Sequence, residues 1–107
     1  MADLPSPRTG QRVTFRTPKN VGGTPVAGTV LDEVWCGPYP DPWGEYALFS
    51  ELIEWDGGTG KSIRMSYYYR PQNKSHWIFG GQYCINGTPA EVKELIVKTL
   101  GKAHWFA

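Results

Sequence analysis

Apolar and polar residues alternate in short runs along most of the chain and change to a helical spacing near its end. Positions 11–17 set Val13 and Phe15 against Arg12, Thr14 and Arg16, the period-two pattern of a strand. Asn20, Gly22, Gly23 and two prolines make 18–25 a loop. A second strand follows over 26–35, with Val26, Gly28, Val30 and Asp32 on one face and Ala27, Thr29, Leu31 and Glu33 on the other, a weak alternation. Proline at positions 38, 40 and 42 then predicts an ordered, semi-extended loop over 36–44, because proline cannot donate to a sheet ladder. Positions 46–55 are apolar on both faces, with Leu48 and Leu52 on one and Phe49, Ile53 and Trp55 on the other. That suits a central strand covered on both sides. After a glycine-rich turn at 56–60, Ile63, Met65, Tyr67 and Tyr69 alternate with Ser62, Arg64, Ser66, Tyr68 and Arg70, completing the clearest hairpin in the chain. A turn at 71–75 leads to a fifth strand over 77–85, interrupted by Gly80 and Gly81.

Thr88, Pro89 and Glu91 spell a helix start: a hydroxyl cap, proline in the first turn, and a glutamate placed to close a capping box. Val92, Leu95, Ile96 and Leu100 share one face, Glu94 and Lys98 form an i,i+4 pair on the exposed side, and Gly101 is the stop. Trp105 and Phe106, just past His104, are expected to tuck back against the core.

These elements predict a mainly β, α+β fold with one C-terminal helix: a small five-stranded antiparallel SH3-like barrel, or a strongly bent sheet packed by the helix. The spacing of Gly10, Val13 and Phe15, followed by Gly28 and Val30, resembles the first hairpin of SH3-like barrels. The resemblance implies a fold and no function. The expected organisation is a single domain, with a flexible tail over 1–9, the strand-rich body over 10–86, the helix over 88–101 and an aromatic tail over 102–107.

Composition narrows the function classes. A chain of 107 residues supports one core, and 40% hydrophobic content with 14% aromatics excludes a disordered segment. A formal net charge of +1 gives no general attraction to nucleic acid or anionic membrane. No apolar run stands at the N-terminus, so neither a signal peptide nor a membrane span is expected, and the chain reads as cytoplasmic. Asn73 and Asn86, which begin glycosylation acceptor patterns, then have no secretory context. Cys36 and Cys84 are isolated from each other, and with His76 and His104 they follow no zinc-ligand spacing, so free thiols, no metal and no cofactor are expected. Gly57, Gly58, Gly60, Lys61 and Ser62 resemble the end of a phosphate-binding loop. The pattern needs glycine where Trp55 stands, and Lys61 opens a strand rather than a helix, so the segment reads as a hairpin turn. No nucleophile–base arrangement follows from residue order.

The charge distribution says more than its sum. Asp32, Glu33, Asp41, Glu45, Glu51, Glu54 and Asp56 fall in a stretch without Lys or Arg, while Lys61, Arg64, Arg70 and Lys74 fall in one without acids. Cross-strand pairing between the third and fourth strands explains this; a bipolar binding surface is the alternative. Alternation sets Arg64, Tyr68 and Arg70 on one strand face, near Lys74 and Trp77. An exposed ring flanked by guanidinium groups suits a protein hot spot or a stacked nucleobase, whereas a covered face would make Tyr68 core and send the arginine stems outward. The proline-rich loop would present Tyr39 and Trp43 on restricted backbone. The leading reading is a non-enzymatic binding module that contacts a protein partner through this strand face and loop. Next comes a single-stranded nucleic-acid binder using Arg64, Tyr68, Arg70 and Lys74. A small enzyme with its site formed across a homo-oligomer is third.

Overall fold

A computed structural model describes residues 3–15, 26–58, 60–80 and 85–107. Five strands, β1 (Arg12–Phe15), β2 (Val26–Asp41), β3 (Gly44–Trp55), β4 (Lys61–Pro71) and β5 (Ile78–Phe79), pair antiparallel in chain order within one sheet, and the helix α1 (Pro89–Leu100) follows. The sheet is strongly curled into a half-barrel, so of the two expected architectures the bent sheet packed by the helix is the one formed. The loop expected over 18–25 and the part of the fifth strand that holds Gly81 and Cys84 lie outside the described residues.

Residues 36–44 are not a loop. β2 runs through Cys36, Pro38 and Pro40 to Asp41, and Tyr39 and Pro40 sit opposite Tyr46 and Glu45 of β3. β1 pairs with β2 only near its start, over Val26 to Thr29, which leaves the later part of β2 an edge among the described residues. Edge strands tolerate proline because the missing N–H can face away from the ladder. A register shift between Cys36 and Tyr39, spanning a cis Gly37–Pro38 bond, takes up the irregularity.

A second shift explains the weak alternation of β2. Val30 pairs with Ile53 but Asp32 pairs with Leu52, so Leu31 is an extra residue and the strand changes phase there. Val30 consequently joins Val13 and Ile53 on one face, while Val34 and Cys36 join Leu48 and Leu52 on the other.

β3 is central, with buried residues unbroken from Ala47 to Ile53. Its Leu48 and Leu52 face, with Val34, Cys36, Leu95 and Trp105, forms the main core beneath α1. The helix begins as expected: Glu91 N–H donates to the Thr88 hydroxyl, and the Glu91 carboxylate accepts from Thr88 N–H at 3.0 Å. Its buried stripe differs from the expected one. Leu95 and Thr99 are buried, Val92 packs partly, and Ile96 and Leu100 are exposed. The Thr99 hydroxyl donates to the Leu95 carbonyl and pairs with Ser50 at 2.7 Å, so a polar residue sits in the interface with its hydrogen bonds made. Of the two terminal rings, Trp105 is buried with its indole N–H donating to Asp32 at 3.1 Å, whereas Phe106 is exposed.

The opposite face of β3 carries Phe49 and Glu51. Residues 3–9, expected as a tail, lie across it as an irregular strap with Pro5 buried.

Candidate functional site

The two faces of β4 lead to two different places. The cross-strand reading of the charges is realised in register: Glu45 opposes Arg70 and Glu51 opposes Arg64 on the face away from α1, and Glu54 opposes Lys61 on the other face. Arg64 is buried and donates through Nε to Glu51 Oε1 at 2.7 Å. Glu51, with no exposed side-chain surface, also accepts from Arg8 Nε at 2.7 Å through Oε2. Arg8 donates to the Tyr68 hydroxyl at 2.6 Å and lies over the Phe49 and Tyr68 rings, 5.7 and 5.9 Å from their centroids. Burial works against the Arg8 charge, but Glu51 prevails and holds the guanidinium protonated above its ordinary range. Arg70 pairs with Glu45 and with Asp3, and lies 4.6 Å from the centre of the Trp77 ring. Lys74 is exposed in the following turn and shares a shallow depression with Arg70.

Arg64, Tyr68 and Arg70 therefore do share one face, and that face is covered by the strap. A phosphate reaching Arg64 or Arg70 would compete with the carboxylates of Glu51, or of Glu45 and Asp3. The sequence reading gave Arg8 no role and counted Glu33 and Glu51 only within the acidic stretch, not in a site. The signal for Glu51 was present, since an acid facing inward on a strand buried on both sides requires a cation beside it.

On the α1 side, Tyr67 and Tyr69 lead into an open groove of about 680 Å³. Asp41, Trp43, Tyr46, Tyr67 and Tyr69 line it, together with Phe79 and Gly80 and with Asn86, Gly87 and Thr88. Local chemistry fixes each part. The Asp41 carboxylate accepts from Trp43 N–H at 2.8 Å, and Gln72 N–H donates to the Trp43 carbonyl at 2.9 Å, holding the β2–β3 turn with the Trp43 side chain outward. Trp43 is 81% exposed. Gly44 must be glycine, since its φ is +154° and a Cβ would stand 2.2 Å from the Arg70 carbonyl. A Cβ on Gly80 would stand 2.2 Å from the Tyr67 ring, so the bare backbone there packs against the tyrosine. Tyr46 donates its hydroxyl to Glu91, the residue that closes the helix cap. Burial and that carboxylate together push the Tyr46 phenol up to about 12. Tyr39 sits outside the groove lining but against Tyr46, and its hydroxyl donates to Glu94. Burial and Glu94 raise its pKa as well.

Of the sequence-derived candidates, the structure thus joins Tyr68 and Arg64 through Arg8 and Glu51, stacks Arg70 on Trp77, and gives Trp43 to the groove on the other side. Cys36 is buried under α1, and burial raises its thiol pKa. No group of three or more His, Cys, Asp or Glu suited to a metal ion occurs among the described residues, and no helix there is long and apolar enough to cross a membrane. Comparison with protein-family models, curated proteins and solved structures finds no match.

Proposed function

We propose that this chain is a non-enzymatic binding module whose partner is another protein, held as an extended segment in the groove of Trp43, Tyr46, Tyr67 and Tyr69. The observation that carries the reading is the groove itself: five aromatic residues line it, Phe79 with the four above, and the largest stands 81% exposed on a turn fixed by hydrogen bonds. Exposed aromatic anchors with a preset backbone lose little entropy on binding and dominate protein interfaces. Asp41 supplies one carboxylate for a basic side chain of the bound segment, and the tyrosine faces suit proline or apolar residues. The described lining residues include no His, Cys, Lys or Arg and a single carboxylate, which favours binding over acid–base chemistry. Selection of a phage-displayed peptide library on the wild-type chain tests this. Trp43→Ala is expected to weaken the selected peptides by about 2 kcal/mol, the scale of an interface anchor. Peptides that bind Trp43→Ala as well as wild type would contradict the assignment.

A further inference from the structure

We infer that the opposite face holds a second binding site, one for an arginine on an extended proline-bearing segment, and that the chain's own residues 3–9 occupy it in cis. The strap is held as a ligand is held. Among the described residues, none of its backbone groups pairs with a backbone group of the sheet, and the ladder contact at this end begins at Gly10, whose N–H donates to the Val30 carbonyl at 2.7 Å. Side chains make the attachment instead. The Arg8 guanidinium enters a slot formed by the Glu51 carboxylate, the Tyr68 hydroxyl and the faces of Phe49 and Tyr68. One Glu33 oxygen accepts the backbone N–H groups of Arg8 and Thr9, each at 2.8 Å, and the Thr9 hydroxyl at 2.7 Å. The slot therefore recognises an arginine and the two consecutive amides at and after it, while Pro5 and Pro7 keep the approaching chain extended.

Charge points the same way. Among the described residues, Glu33 and Glu51 stand opposite each other in register and Arg64 is the sheet's guanidinium bound to Glu51, two carboxylates to one guanidinium, so the Arg8 cation restores the balance. Leu4 and Ser6, which are exposed, sit less closely. A cavity of about 400 Å³ lies among Leu4, Ser6, Arg8, Tyr68, His76 and Trp77. A segment held through its side chains and two amides, with open space beside Leu4 and Ser6 and no ladder to the sheet, can be displaced by a partner chain that carries the same chemistry. This site is separate from the aromatic groove and stands or falls independently of it.

The probe is a fluorescent peptide, Leu-Pro-Ser-Pro-Arg-Thr-Gly, added to the full-length Arg8→Ala chain and to wild type. A strap tethered next to its slot has an effective concentration on the order of millimolar, so the peptide is expected to bind Arg8→Ala saturably and wild type at least about tenfold more weakly. Replacing the peptide arginine by lysine removes the planar fork and should weaken binding about tenfold, and Tyr68→Phe in the Arg8→Ala background should weaken it further. No binding to a folded Arg8→Ala chain, or equal binding of the lysine peptide, would overturn the inference. If Arg8→Ala does not unfold cooperatively, amide exchange in the wild-type chain decides: excess peptide should accelerate exchange at Arg8 and Thr9, and unchanged rates there would overturn it.

Discussion

Replacing Glu51 by glutamine tests whether the buried charge cluster organises the half-barrel. The substitution keeps volume and shape, so no cavity opens. It removes the one carboxylate shared by Arg8 and Arg64, whose Nε donors both stand 2.7 Å from its oxygens. An amide offers a single acceptor and turns an NH₂ group toward a guanidinium. Breaking a buried pair by removing one partner costs about 3 to 5 kcal/mol, because the remaining charge stays uncompensated. Arg64 cannot escape, since its side chain is 8% exposed, but the 13% exposed Arg8 is delivered by the strap and can swing to water. The lower end of that range applies, a loss of about 3 kcal/mol. Urea unfolding at neutral pH, read as the shift in midpoint at constant slope, measures it. Glu54→Gln is the control: Glu54 opposes Lys61 in register but is exposed, and its loss should stay under about 1 kcal/mol. A Glu51→Gln loss no larger than the control's would refute the cluster as a structural element.

Two further outcomes follow from the packing. Leu95, on the inner face of α1, is fully buried, so Leu95→Ala should cost about 2 to 5 kcal/mol in the same unfolding experiment, while Leu100→Ser on the exposed side should change stability by less than about 0.5 kcal/mol. The raised phenol of Tyr46 makes stability pH-dependent at the alkaline end. A folded-state pKa of about 12 against an ordinary value of 10.0 means that the contribution is complete below 10 and is lost as pH rises from there through 12. Tyr46→Phe should flatten that part of the stability profile, and an unchanged slope would contradict the assignment.

What the sequence revealed was local. The Thr88 cap, the two apolar faces of β3 and the β3–β4 hairpin all rest on residues within a few positions of one another, or on strands joined by one short turn. The segregation of acids and bases was legible for the same reason, because adjacent strands bring Glu45 to Arg70 and Glu51 to Arg64. The bulge at Leu31 was not legible: one extra residue reverses every later face, and nothing in that residue type announces it. The strand character of the proline segment depended on β1 ending early along β2, a property of the whole sheet. Thr99 took a buried place expected for Leu100 because Ser50, 49 positions away, supplies its partner. The choice between the two faces of β4 depended on where the strap lies, and Arg8 reaches Tyr68 across 60 positions. The Tyr67 and Tyr69 face, less charged than its opposite, is the one that opens into the groove.

The central claim is that the groove binds an extended segment of another protein, and mapping amide chemical shifts on titration with a selected peptide tests it most directly. The account predicts that the largest changes fall on Asp41, Trp43, Tyr46, Tyr67, Tyr69 and the 86–88 segment, with the Trp43 indole N–H among them. Changes centred on residues 4–9, Glu51 and Tyr68 instead, or peptides that bind without perturbing Trp43 and Tyr67, would contradict it.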